Sequence, residues 1–83
     1  MPEYRFAVAV MPKPGILDPQ GRAVEQSLDH LDVSGVADVR IGRRVELKVN
    51  ADGEDQARVV VGRLAEELLS NPLVETYAVE RLA

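Results

Sequence analysis

The chain has 83 residues, with 10 Lys and Arg against 14 Asp and Glu, a formal net charge of −4, and no cysteine. That length suits one small domain spanning 1–83, and the missing thiols exclude disulfides, zinc–thiolate centres and a cysteine nucleophile. An acidic balance with only Tyr4, Phe6 and Tyr77 as aromatics argues against a nucleic-acid surface, which needs basic residues and stacking rings.

No apolar run approaches the roughly 20 residues of a membrane span, and no basic segment leads into one as an export signal would. A cytoplasmic chain is expected. Residues 3 to 11 alternate, with Tyr4, Phe6, Val8 and Val10 on one side and Arg5, Ala7 and Ala9 on the other, which predicts a strand. The small residues Ala7 and Ala9 would either admit another surface closely or simply sit among neighbouring strands.

Lys13-Pro14-Gly15-Ile16-Leu17-Asp18-Pro19-Gln20-Gly21 follows, dense in turn residues. Asp18 before Pro19 reads as an N-cap and first helical residue, because the missing proline N–H is not needed there. Val24, Leu28 and Leu31 then recur at helical spacing, predicting an amphipathic helix that ends near Leu31. Ser34-Gly35 supplies a turn.

Ala37, Val39 and Ile41 share parity with Val45, Leu47 and Val49. A three-residue hairpin loop at Gly42-Arg43-Arg44 keeps both sets on one face, and so does one long strand kinked at Gly42; the hairpin is the preferred reading. Asp52 and Asp55 suggest a capping box for a helix carrying Ala57, Val61, Leu64 and Leu68 on one stripe. Gly62 inside it suggests close packing against another backbone. Asn71-Pro72 stops the helix, and Val74 to Arg81 reads as a last strand. The order β-α-β-β-α-β predicts an α+β, ferredoxin-like domain: a four-stranded antiparallel sheet with two helices on one face.

Chemistry is sparse. His30 lies between acidic neighbours near a helix end, where the dipole favours a surface imidazole, and no nucleophile or base completes a triad. Asp52, Glu54 and Asp55 lack the calcium-loop spacing, and neither phosphate-loop pattern is present. Arg40, Arg43 and Arg44 would clamp an anion or an acidic partner patch, or decorate a solvated hairpin tip. No catalytic, cofactor-binding or metal residues are expected, so a binding or accessory subunit is a better class than a stand-alone enzyme.

Two stretches carry a resemblance: Lys13 to Gly21 with Ala23-Val24, and Val39-Arg40-Ile41-Gly42-Arg43 with Val45-Glu46-Leu47. Together with Asn71-Pro72-Leu73-Val74-Glu75 they make the chain resemble, over essentially its whole length, the PurS family. This is the small subunit of multi-subunit phosphoribosylformylglycinamidine synthase. The resemblance implies a non-catalytic subunit of de novo purine synthesis that forms a homodimer or tetramer. It would bridge a glutaminase subunit and a large synthetase subunit, assist ammonia transfer, and bind no cofactor itself, with ATP and Mg on the large partner. The expected partner interface is Lys13, Pro14, Gly15, Asp18, Pro19, Gln20, Gly21, Arg40, Gly42 and Arg43. The rival reading is a small-molecule sensor of the ACT type, which shares the element order and a Pro-Gly-x-Leu stretch like Pro14 to Leu17. Its first helix would start at that stretch, whereas Asp18-Pro19 starts the helix later.

Overall fold

Alternation along the first strand decides where the core forms. In the computed structural model, which describes residues 1–83, strand β1 (Glu3–Pro12) is the centre of a three-stranded antiparallel sheet. It lies between β2 (Arg43–Asn50) and β3 (Glu75–Leu82), in the order β2-β1-β3. Phe6, Val8 and Val10 on one side of β1 are fully buried. They pack with Val49, Ala51, and Ala57, Val61 and Ala65 of helix α2 (Glu54–Leu64) and its continuation. Ala7 on the other side is also buried, standing between Glu46 of β2 and Glu80 of β3. Its burial is that of a small residue flanked by longer ones on neighbouring strands.

The four-stranded ferredoxin-like sheet is not what this chain forms. Residues 37–42 make no strand, and the Gly42-Arg43-Arg44 hairpin is absent. A three-residue hairpin loop needs a left-handed residue, and none of these three has a positive φ. The chain instead runs through Gly42 into β2, closer to the long-strand alternative. Gly42 is required by clearance, since a Cβ there would overlap the Val10 carbonyl oxygen and the Met11 sulfur. Arg43 and Arg44 are therefore strand residues, not a tip.

Helix α2 departs from its expected stripe at its C-terminal end. Ala65–Leu69 forms a π-helical turn, closed where the Ser70 N–H donates to the Ala65 carbonyl at 3.1 Å. The wider turn inserts one residue and rotates the stripe. Ala65 and Leu69 join the core in place of Leu68, which is 74% exposed. The helix is capped by Gly53, not by an Asp52–Asp55 box; the Gln56 side chain accepts the Asp52 N–H. Gly62 faces open space, not a second backbone.

Helix α1 (Pro19–Leu28), followed by a 3-10 turn at Asp29–Leu31, does not cover the sheet. Gly21 is its sole buried residue, and Val24, Leu31, Val33 and Val36 are exposed. What holds α1 is residues 37–42. Asp18 caps the helix by accepting the Gly21 N–H at 3.0 Å, and its second oxygen accepts the Ile41 N–H at 2.7 Å. One helical side later, Glu25 accepts the Val39 N–H at 3.0 Å. Gly21 lies so close to the Val39 carbonyl that no Cβ fits. The result is an extended molecule of 52 × 27 × 15 Å. Its radius of gyration is 16.5 Å, against about 12 Å for a compact chain of this length.

Two measurements check this framework. Gly42→Ala is expected to cost about 1–3 kcal/mol through overpacking, whereas Gly62→Ala should gain roughly 0.5–1 kcal/mol from helix propensity. Thermal melts of the two variants should therefore move in opposite directions. The Gly21 and Ile41 N–H groups hold the Asp18 carboxyl below its ordinary range. A lowered folded-state pKa gives stability that is present above the unfolded value near 3.9 and is lost as pH falls through the folded value. Asp18→Asn should therefore lower the melting temperature at pH 7 and flatten its decline below about pH 4. An Asn variant with the wild-type acid profile would remove Asp18 from this role.

Candidate functional site

The nine-residue loop is built as a rigid platform. Its first turn closes where Ile16 N–H donates to the Lys13 carbonyl at 3.1 Å, with Gly15 at φ 83°. Pro14 then Gly15 at the two central positions suits a type II turn, which fixes φ at the first and needs a left-handed second. The Lys13 N–H donates to the Val74 carbonyl at 2.9 Å, anchoring the loop to the lead-in of β3. Asp18 anchors the other end. Between the anchors, Ile16 and Leu17 project outward, 41% and 69% exposed.

Two concavities open on either side of this platform and share Ile16, Leu17 and Asp18. The first, about 490 Å³, is bounded by Lys13, Pro14 and Gly15 on one side and by Arg22, Glu25 and residues 38–40 on the other. The second, about 510 Å³, has Pro19 and Gln20 facing Gly42, Arg43 and Glu75. The structure thus brings Lys13, Pro14, Gly15, Asp18, Pro19, Gln20, Arg40, Gly42 and Arg43 around one feature, although Arg40 and Lys13 are distant in sequence. Gly21 lies beneath it, pressed on the Val39 carbonyl.

Electrostatics separate the charged groups by availability. Arg43 is engaged within the chain: its guanidinium donates to both Glu75 oxygens, at 2.7 and 2.9 Å, and to the Leu69 carbonyl at 2.6 Å. That strap joins β2 to the junction between the π turn and β3. The Arg43 guanidinium, with the Asn71 N–H behind it, holds the Glu75 carboxyl below the usual carboxylate range. Arg44 turns to the opposite sheet face, pairing with Glu46 at 2.9 Å and Glu80 at 3.7 Å. Arg40 has no carboxylate partner, and both Asp18 oxygens are taken by backbone donors. His30 is exposed within the 3-10 turn.

Of the carboxylates around the loop platform, Asp18 and Glu25 accept backbone N–H groups and Glu75 accepts the Arg43 guanidinium and the Asn71 N–H; no cluster of three metal-ligating side chains occurs in the chain. No helix is long and apolar enough to cross a membrane. Sequence reasoning missed Glu25 and Glu75. Glu25 was legible as the residue seven positions after the Asp18 cap, hence on the same helical side; nothing local announces Glu75 as the acceptor for Arg43.

Residues 5–83 match the family model described as PurS: Phosphoribosylformylglycinamidine (FGAM) synthase. The chain is 35% identical over 82 residues to phosphoribosylformylglycinamidine synthase subunit PurS of Thermotoga maritima, covering 99% of this chain and 100% of that one. The Bacillus subtilis subunit PurS is 39% identical over 77 residues, covering 93% and 90%. Among solved structures, a chain of PurLQS from Thermotoga maritima has a TM-score of 0.90 at 35% identity, covering 99% and 100%. Thermus thermophilus PurS has a TM-score of 0.80 at 36% identity, with the same coverage. With the family model matched from residue 5 to the last residue and full-length relatives above one-third identity, the chain belongs to the PurS family.

Proposed function

We propose that this chain is the small, non-catalytic subunit of a phosphoribosylformylglycinamidine synthase. It acts in the cytoplasm, bridging a glutaminase subunit and a large synthetase subunit so that ammonia released from glutamine reaches the second. ATP and Mg belong to the large partner, and the chain itself associates as a homodimer or tetramer. Membership of the PurS family supports the reading, as does the likeness to a chain of the Thermotoga maritima PurLQS structure.

The observation that carries it is the loop platform. Residues Lys13 to Gly21 are fixed at both ends by hydrogen bonds, yet they display Ile16 and Leu17 to solvent between two concavities. A rigid loop loses little conformational entropy on docking, and exposed aliphatic side chains gain on burial. Lys13, Pro14, Gly15, Asp18, Pro19, Gln20 and Gly21, with Arg40, Gly42 and Arg43 along the rim, form the partner interface on this reading. Arg43 contributes by fixing the rim, since its guanidinium is already engaged.

Reconstitution with the glutaminase and synthetase subunits tests the assignment. Leu17→Glu, which alters an exposed side chain, should lower glutamine-dependent synthesis at least tenfold and leave ammonia-dependent synthesis by the large subunit intact. Wild-type glutamine-dependent turnover together with undiminished co-sedimentation would refute the docking surface.

A further inference from the structure

Cations that find no carboxylate within the chain are not spread evenly. The chain has 10 Lys and Arg residues. Arg43, Arg44, Arg58, Arg63 and Arg81 are taken by ion pairs. Of the rest, Lys13, Arg22 and Arg40 line one recess, the first concavity beside the loop platform. Arg5 and Lys48 lie apart from it, opposite each other on β1 and β2. Sequence reasoning did not single out Arg22. Asp18, Arg22 and Glu25 follow one another at helical spacing, which puts all three on one side of α1. Residues 39 and 41 are bonded to that side. Lys13 comes from the loop, its backbone fixed by the bond to the Val74 carbonyl.

The acidic side chains of the same recess do not answer these cations. Asp18 accepts the Gly21 N–H with one oxygen and the Ile41 N–H with the other, and Glu25 accepts the Val39 N–H. Backbone dipoles aimed at those carboxylates offset part of their field. Asp38 is the remaining acid, exposed and held at φ 56°. In a chain of net charge −4, this recess is where unanswered positive charge collects.

We infer that the recess receives a carboxylate side chain of one of the larger subunits, with an aliphatic residue beside it on the partner packing on Ile16 and Leu17. Those two residues line the recess and are exposed, so a carboxylate and an aliphatic group presented together meet both parts of the surface. The volume, about 490 Å³, admits several side chains. Gly15, Arg22, Asp38 and Arg40 around it are all exposed. A free anion in so open a place stays hydrated and gains little from exposed cations. A docked protein surface excludes water around the same cations and strengthens their pull. Charges so placed speed encounter and select the surface that is met, while aliphatic burial supplies affinity. The inference rests on the proposed function and names the chemistry that the partner presents. It adds Arg22 to the interface and gives Arg22 and Arg40 a different part from Arg43, whose guanidinium is held by Glu75 and the Leu69 carbonyl.

Reconstitution with the glutaminase and synthetase subunits tests it, read as the dissociation constant of this chain from the complex and its association rate against salt. Lys13→Glu, Arg22→Glu and Arg40→Glu should each raise the constant roughly tenfold or more. Arg5→Glu, at an equally unpaired cation on β1, should stay within about threefold of wild type. Asp38→Asn, which keeps a residue type tolerant of the left-handed region, should lower the constant about twofold or more; an unchanged or raised constant overturns the carboxylate. Raising salt from about 0.05 to 0.5 M should slow wild-type association roughly tenfold, and Arg22→Glu should flatten that dependence. Sedimentation equilibrium of each variant alone separates docking from self-association. A weakening confined to Arg40→Glu, with loss of self-association, overturns the inference. If Leu17→Glu breaks the complex and the three reversals leave it intact, the carboxylate is refuted and the platform stands. If none of the four weakens it, both fall. Saturable binding of inorganic phosphate to the free chain, abolished by Arg22→Glu, would give the recess to a free anion and overturn the docking.

Discussion

The chain passes straight through Gly42, and much of the rest follows from that. A turn there would have laid residues 37–41 along the outside of β2 and swung α1 back over the sheet. The absence of a left-handed residue at 42–44 forbids it, and the approach of Gly42 to Val10 and Met11 locks the crossing in place. Residues 37–42 then project beyond β1, and α1 goes with them because Asp18 and Glu25 bond to their backbone. The sheet keeps three strands, one helix covers it, and the other stands clear.

This geometry explains an apolar content that the single chain does not bury. The core is eight residues around β1 and α2, small for a domain whose stability must exceed the conformational entropy of ordering it. Meanwhile Leu17, Val24, Leu31, Val33 and Val36 remain largely exposed on or beside a helix of 10 residues. Isolated helices of that length are marginal in water. The Asp18 and Glu25 bonds therefore fix where α1 is but supply little of the burial it lacks.

Local features were legible in the sequence. Alternation gave β1 and Asp18-Pro19 gave the start of α1, because each depends on residues within a few positions. The errors arose where distant contacts decide. Parity at 37–41 and 45–49 is satisfied equally by a hairpin and by a strand running straight on, so side-chain pattern alone could not choose. Glycine at 42 would have suited a turn, but it serves clearance instead. The α2 stripe was legible through Val61 and failed at Leu68, since a π turn shifts the phase by one residue without altering composition. For the site, the loop and the arginines were found from sequence, but not that Arg43 is engaged by Glu75, a residue 32 positions away.

Asp18 shows why the loop is better understood as a support than as a reactive centre. A catalytic carboxylate needs a free oxygen facing a pocket, with a pKa placed near its working pH. Asp18 has one oxygen on Gly21 and the other on Ile41, and both bonds favour the ionised form. Its charge is spent on holding a helix start and an extended segment in one fixed relation. The same carboxylate ties together the loop, α1 and residues 37–42, so the relative placement of all three is set by a single residue. Displacing any one of the three therefore moves the other two.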